Sequence, residues 1–199
     1  MSCPNLSNTP PPACLEVNGA TYPVSVDFRA WIQVSELFKR LLPHPEMAEE
    51  YKENLLLVAE MEQLTFGSFI KQPWADALEA MGDFLGGYPT ELEKKPPLST
   101  VQVYSFKHDI NWIVLAIRNQ TGIDLSYRRD PKTDPFHWWE FLLEFQSLTD
   151  DHYISKLMKH RGYKGDDKDY TRLRDYVALP RELSAEEQKA LDEFNALFE

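Results

Sequence analysis

The sequence predicts a mainly α protein, a helical domain of about six to eight helices preceded by an N-terminal β-hairpin. Three observations carry that prediction. Apolar residues recur at i, i+3 and i+4 through most of the chain, helix-start and helix-stop residues bracket those stretches, and one hairpin signal precedes them all. With 199 residues, 43% hydrophobic and 13% aromatic, the chain suits one large domain or a compact domain with appendages.

The elements follow in order. A Pro-rich arm over residues 1–12, "MSCPNLSNTPPP", is expected to be extended and unpacked. Two short runs then flank Asn18-Gly19, a dipeptide that tolerates positive φ at both centres of a type I′ turn, so a hairpin is expected at about 14–24. Asp27 is placed to cap a helix over "FRAWIQVSELFKRLL", with Phe28, Trp31, Ile32, Ser35, Phe38 and Leu42 on its inner stripe. A second helix is expected at about 46–63, with Leu56, Leu57, Ala59, Met61 and Leu64 in its later part. A third, from Pro73, closes at Gly86-Gly87. These elements form a region at 13–87.

Residues 88–101 hold three prolines and no apolar period, and read as a linker or long loop. The helical region at 102–180 starts with a Ser105-capped helix carrying Phe106, Ile110, Ile113, Val114 and Ile117, stopped by Gly122. Asp134-Pro135 reads as a cap and first-turn proline for the next helix, Thr149 as the cap of "DDHYISKLMKHR", and "DYTRLRDYVAL" as a short helix. At 181–199 a capping box, Ser184 to Glu187, opens an acidic amphipathic helix through Leu191, Phe194 and Leu197 or Phe198.

Charge and cysteines exclude several functions. A net charge of −11 repels phosphate backbones and anionic lipid, so neither nucleic acid nor membrane is an expected partner. Residues 155–181 carry eight Lys/Arg against four Asp, but this basic stretch is best read as a solvated face. Its tyrosines Tyr163, Tyr170 and Tyr176 could stack bases, yet Asp166, Asp167 and Asp169 blunt that reading. The two cysteines, Cys3 and Cys14, make neither a disulfide framework nor a zinc site. The amino terminus lacks a secretory pattern, and the longest apolar run, "INWIVLAI", is far below the ~20 residues that span a bilayer. A soluble protein of a reducing compartment is the expectation.

The densest stretch is "FHWWEF", residues 136–141. On a helix Trp138, Phe141, Leu142 and Phe145 share one face. Phe136, Trp139 and Leu143 share an adjoining one, leaving His137, Glu140 and Glu144 as a polar strip. An apolar arc this wide marks a helix central in the core, or one shared between core and partner. We place Trp138 in the core and keep Trp139, Phe136 and Leu143 as the candidate partner-binding residues. His137, Glu140 and Glu144 could present three metal ligands, but no facing helix repeats a ligand pair, and a solvated strip is the better reading. No phosphate loop, nucleophile elbow or HExxH is present. His108-Asp109 are sequence neighbours that diverge on a helix, and His160-Arg161 fits a cation at a helix end. No catalytic residue, metal or cofactor is assigned, and the protein is expected not to be an enzyme.

Several blocks resemble the bacteriophage gp-fifteen family. They are "LEVNGATYPVSVDFRAWI", "VYSFKHDINWIVLAIRNQTGIDL", "FHWWEFLLEFQSL" with "ISKLMKHRG", and "RDYVALP", in the family's order across most of residues 15–180. A tyrosine of the family pattern is replaced here by Thr121. The resemblance implies a tail-morphogenesis protein of tailed phages and prophages, encoded near the tape-measure protein and similar to tail assembly chaperones. It supplies no catalytic residues. The expected partners are the tape-measure protein or other phage tail proteins, with self-association left open. The expected location is the bacterial host cytoplasm during assembly or, if the protein instead remains as a structural component of the mature tail, the virion.

Overall fold

The computed structural model describes residues 10–41, 48–87, 101–127 and 129–181, with side chains of the second segment described from residue 51. Among these residues a two-stranded sheet is followed by seven helices, the mainly α architecture expected from the sequence. The expected C-terminal helix, residues 88–100 of the linker expected at 88–101, Leu42 of the first helix's expected stripe and residues 1–9 of the arm lie outside the described residues.

Strands β1 (Cys14–Val17) and β2 (Ala20–Pro23) pair antiparallel, with Leu15 opposite Tyr22 and Val17 opposite Ala20. Asn18 and Gly19 both take positive φ, 50° and 74°, as the two-residue turn requires. The turn is tied down: the Asn18 side-chain amide donates to Asp76 at 2.6 Å. The arm is also anchored at its end, where the Pro12 carbonyl bonds His137 at 3.0 Å, so the unpacked reading does not hold as far as residue 12.

Helix α1 (Phe28–Phe38) buries Phe28, Trp31, Val34 and Leu37. The expected stripe was rotated: Ile32, Ser35 and Phe38 are only half-buried, because α1 packs against α2 on one side and the start of α5 on the other. Helix α2 (Ala48–Phe66) turns Leu57, Val58 and Met61 inward and leaves Leu56 66% exposed, correcting the expectation for Leu56. Helix α3 (Trp74–Leu85) buries Ala77, Met81 and Phe84. Gly87, at φ 76°, follows; that handedness favours glycine, and a Cβ there would also have to displace the Leu142 Cδ1 methyl, which it would meet at 2.7 Å.

Helix α4 (Phe106–Thr121) stops at Gly122, whose left-handed φ of 80° lets its N–H reach the Arg118 carbonyl. Helix α5 (Trp138–Gln146) begins four residues after Asp134, not at it. Asp134 is instead held outside the helix by Arg129, which donates to its carboxylate and to its carbonyl at 2.9 Å each. Helix α6 (Tyr153–Arg161) likewise starts after His152, while the Thr149 N–H donates to Gln120 of α4. Asp167 caps α7 (Lys168–Tyr176), which packs on α6.

The buried apolar cluster runs through both halves, from Val17 and Met81 to Ile154 and Leu157. The second half is clamped by an ion pair that the sequence reading missed. Arg161 does not sit in solvent at a helix end. It turns inward and grips Asp109 through two bonds, 2.6 and 3.1 Å, while also donating to the carbonyls of Val177 and Val103. Asp109 in turn accepts the Ser105 N–H at 2.9 Å, completing the start of α4 where the Ser105 hydroxyl makes no cap bond. The two side chains are only 9% and 3% exposed, so neither charge has water to fall back on. Replacing Arg161 by Met should therefore cost about 3–5 kcal/mol in chemical denaturation, because it strands a buried carboxylate. Arg161→Met with Asp109→Leu should recover much of that loss.

Candidate functional site

The candidate site is built on the start of α5. Residues 26–28 and 136–138 run antiparallel as a short ladder: Phe28 N–H donates to the Phe136 carbonyl at 2.9 Å, and Trp138 N–H to the Val26 carbonyl at 2.8 Å. Asp27 and His137 face one another in it. Each is the N-cap of the helix that leaves the ladder, so α1 and α5 start side by side. The Asp27 carboxylate accepts the Arg29 N–H at 3.0 Å, and His137 Nδ1 accepts the Trp139 N–H at 3.0 Å. Asp27 also accepts the Phe136 N–H, and Arg29 bridges from Asp27 to the carbonyls of Leu125, Ser126 and Arg129.

Nδ1 of His137 can accept only if it is unprotonated, so the proton belongs on Nε2, which donates to the Pro12 carbonyl. Burial pushes the imidazole pKa below its ordinary value, against the smaller raising effects of the Pro12 carbonyl and the Glu140 charge. His137 is thus a buried cap, not part of a solvated strip. Both ring nitrogens are occupied, while Glu140 is exposed and Glu144 half-buried. Among the described residues no group of three His, Cys, Asp or Glu side chains comes together to hold a metal.

The tryptophans have a shared task that helical periodicity does not show. Trp138 Nε1 donates to the Leu85 carbonyl at 3.2 Å and Trp139 Nε1 to the Phe84 carbonyl at 2.8 Å. Both carbonyls lie in the last turn of α3, where helical partners run out; that of Phe84 also accepts the Gly87 N–H at 3.1 Å, and the two indoles add a bond to each. Trp138 is 2% exposed, as expected for the core. On the adjoining face Phe136 and Trp139 are 7% and 8% exposed, against the expectation of an accessible surface there, while Leu143 is half-buried. Phe136 packs edge-on to Phe28, and Trp139 packs on Phe84. Neither can be an accessible contact, because the chain's own α1 and α3 occupy that side of α5.

The accessible apolar surface lies beside the other face. An open cleft of about 710 Å³ runs between the end of α1, the end of α3, residues 101–106 and the start of α5. Phe38, Leu85, Val103, Tyr104 and Leu142 line it half-buried, Val101 is 40% exposed at its mouth, and Trp138 and Phe106 form its floor. Among the described residues Lys39 supplies the single charged side chain in its lining. A cleft this apolar suits the apolar face of an amphipathic helix better than a polar small molecule. Sequence reasoning missed it because residues 101–104 have no period of their own. The available signal was Leu142, assigned to the buried face yet held at that face's edge.

Two lesser surfaces carry aromatics. Trp112 of α4 and Tyr153 of α6 meet edge to face at 4.7 Å and stand 44% and 54% exposed. Tyr163 and Tyr170 stack at 5.1 Å near Lys164, Lys168 and Arg172, with the three expected aspartates exposed beside them. Among the described residues no helix is long and apolar enough to cross a membrane.

A family model described as Bacteriophage Gp15 protein matches residues 9–183. No curated protein and no solved structure matches the chain.

The His137 cap makes stability depend on pH in a definite direction. The folded-state pKa lies below the ~6.5 of the unfolded chain, so on acidification the unfolded chain binds the proton first. The contribution is complete above about pH 6.5 and is lost as pH falls through the folded pKa. Denaturation at pH 7.5 and 5.5 should show a steeper loss for the wild type than for His137→Asn, which keeps a cap acceptor that does not titrate. His137→Ala should cost about 1 kcal/mol at pH 7.5.

Proposed function

We propose that this chain, which belongs to the Bacteriophage Gp15 protein family, is a non-enzymatic phage assembly protein, a chaperone that binds the tape-measure protein during tail morphogenesis. Membership makes it a phage protein with other phage proteins as its expected partners. The tail role comes from the family resemblance, and the observation that carries the helix-binding part is the open cleft between α1, α3 and α5. A tape-measure chain exposes long amphipathic helices that self-associate. A groove lined by Val101, Val103, Leu142 and Phe38 offers such a helix an apolar bed. The net charge of −11 would keep the complex dispersed. Release, when tail tube replaces the chaperone, is easier from an open groove of modest contacts than from one enclosed pocket.

Co-expression with the tape-measure protein encoded nearby tests this reading. The wild type should raise the soluble yield of that protein and co-purify with it. Val101→Asp with Val103→Asp should weaken the complex at least tenfold, about 1.4 kcal/mol, with an unchanged circular-dichroism spectrum. No rescue by the wild type, or rescue untouched by the paired substitution, contradicts the reading. Mass spectrometry of purified virions separates a chaperone, which is absent, from a structural tail component, which is stoichiometric.

A further inference from the structure

We propose that a second copy of this chain docks on the exposed face shared by α4 and α6, seating the acidic row of its α3 against the lysines of α6. None of the residues involved lines the cleft. Trp112 of α4 and Tyr153 of α6 stand exposed with their rings in edge-to-face contact. Tryptophan and tyrosine are the residue types that most often anchor protein contacts. From Tyr153 the row continues along α6 in three-residue steps through Lys156 and Lys159, both exposed. Neither lysine is in an ion pair among the described residues. Helix α6 holds no acidic residue, and its Arg161 is already spent on Asp109. Asp150 and Asp151 precede its first turn, at the Tyr153 end.

The complement is on the same chain. Helix α3 carries Asp76, Glu79 and Asp83 and no basic residue. With Ala77, Met81 and Phe84 turned to the core, Glu79 and Asp83 fall on its outer face, exposed and one turn apart. Asp76 is tied to the Asn18 amide of the hairpin turn, whereas neither Glu79 nor Asp83 is in an ion pair among the described residues. Helix α2, by contrast, sets Lys52 among its exposed acids. Residues three or four apart on a helix stand about 5–6 Å from one another, so the two carboxylates of α3 match the two lysines of α6 in spacing as well as sign. Exposed Ala75, beside Glu79, leaves the aromatic rings a flat seat. At ~0.15 M salt charges act over about 8 Å, so at contact these pairs count for more than the repulsion between whole chains of net −11.

Sedimentation equilibrium of the full chain tests the proposal, over a concentration series reaching ~1 mM. The wild type should associate as concentration rises. Lys156→Glu with Lys159→Glu, or Glu79→Lys with Asp83→Lys, should each weaken association about tenfold or more, with unchanged circular-dichroism spectra. An equimolar mixture of these two variants should restore it, because each reversed face then meets its opposite. Trp112→Ala with Tyr153→Ala should also weaken it about tenfold or more. A wild type that keeps the mass of one chain throughout overturns the proposal. So does association untouched by either charge reversal or by loss of the two rings, and so does a mixture no tighter than its components. The measurement contains no tape-measure protein, so its failure leaves the cleft reading standing, and a failed co-expression rescue leaves this one.

Discussion

Helices α1 and α5, 110 residues apart at their first positions, start from one short ladder, and most of the structure hangs on that junction. Backbone amides at a helix start lack internal partners, and here each start is supplied by a side chain in the ladder itself: Asp27 for one, His137 for the other. The arrangement fixes more than two helix ends. Asp27 reaches across to the Phe136 amide, Arg29 reaches on to the 125–129 turn, and His137 reaches back to Pro12. Each bond is worth about 1 kcal/mol net, but a buried donor or acceptor left unmade costs more, so the set tolerates little rearrangement.

From that junction the aromatic residues fall into place. Phe28 stacks on Phe141 at 4.6 Å, Phe141 on Trp138 at 5.7 Å, and Phe106 meets Trp138 edge-on at 5.9 Å. The paired indoles then bind the end of α3, so one nine-residue helix is joined to the first helix, the third and the fourth. The Arg161–Asp109 pair does for α4, α6 and the 177 carbonyl what the ladder does for α1 and α5. A cleft remains where these supports converge without covering α5's remaining edge, between Leu85, Leu142 and residues 101–106. The cleft is thus a by-product of how α5 is secured.

Local rules in the sequence made much of this legible. The Asn18-Gly19 turn, the Asp27 cap, the Gly122 stop and the inward face of Trp138, Phe141 and Phe145 each follow from short-range sterics or a helical period. What escaped depends on residues far apart in the chain. His137 is a weak cap by type, and Asp134-Pro135 looked the stronger start until Arg129 and the ladder are seen to claim the intervening residues. Arg161 looked like a surface cation because nothing near it in sequence announces Asp109. Trp139 looked free for a partner because a helical wheel does not show an indole N–H bonded to a carbonyl of another helix. The cleft was illegible for the same reason: its walls come from four separate segments.

The ladder makes both halves one cooperative body, with α5 held at the middle. Native-state hydrogen exchange measures this directly at the amides of Phe28, Phe136, Trp138 and Trp139. These amides should exchange only through global unfolding, with the same free energy as the Ile113 and Ile117 amides inside α4. Exchange of the four ladder amides through a smaller opening, while Ile113 and Ile117 stay protected, would contradict it.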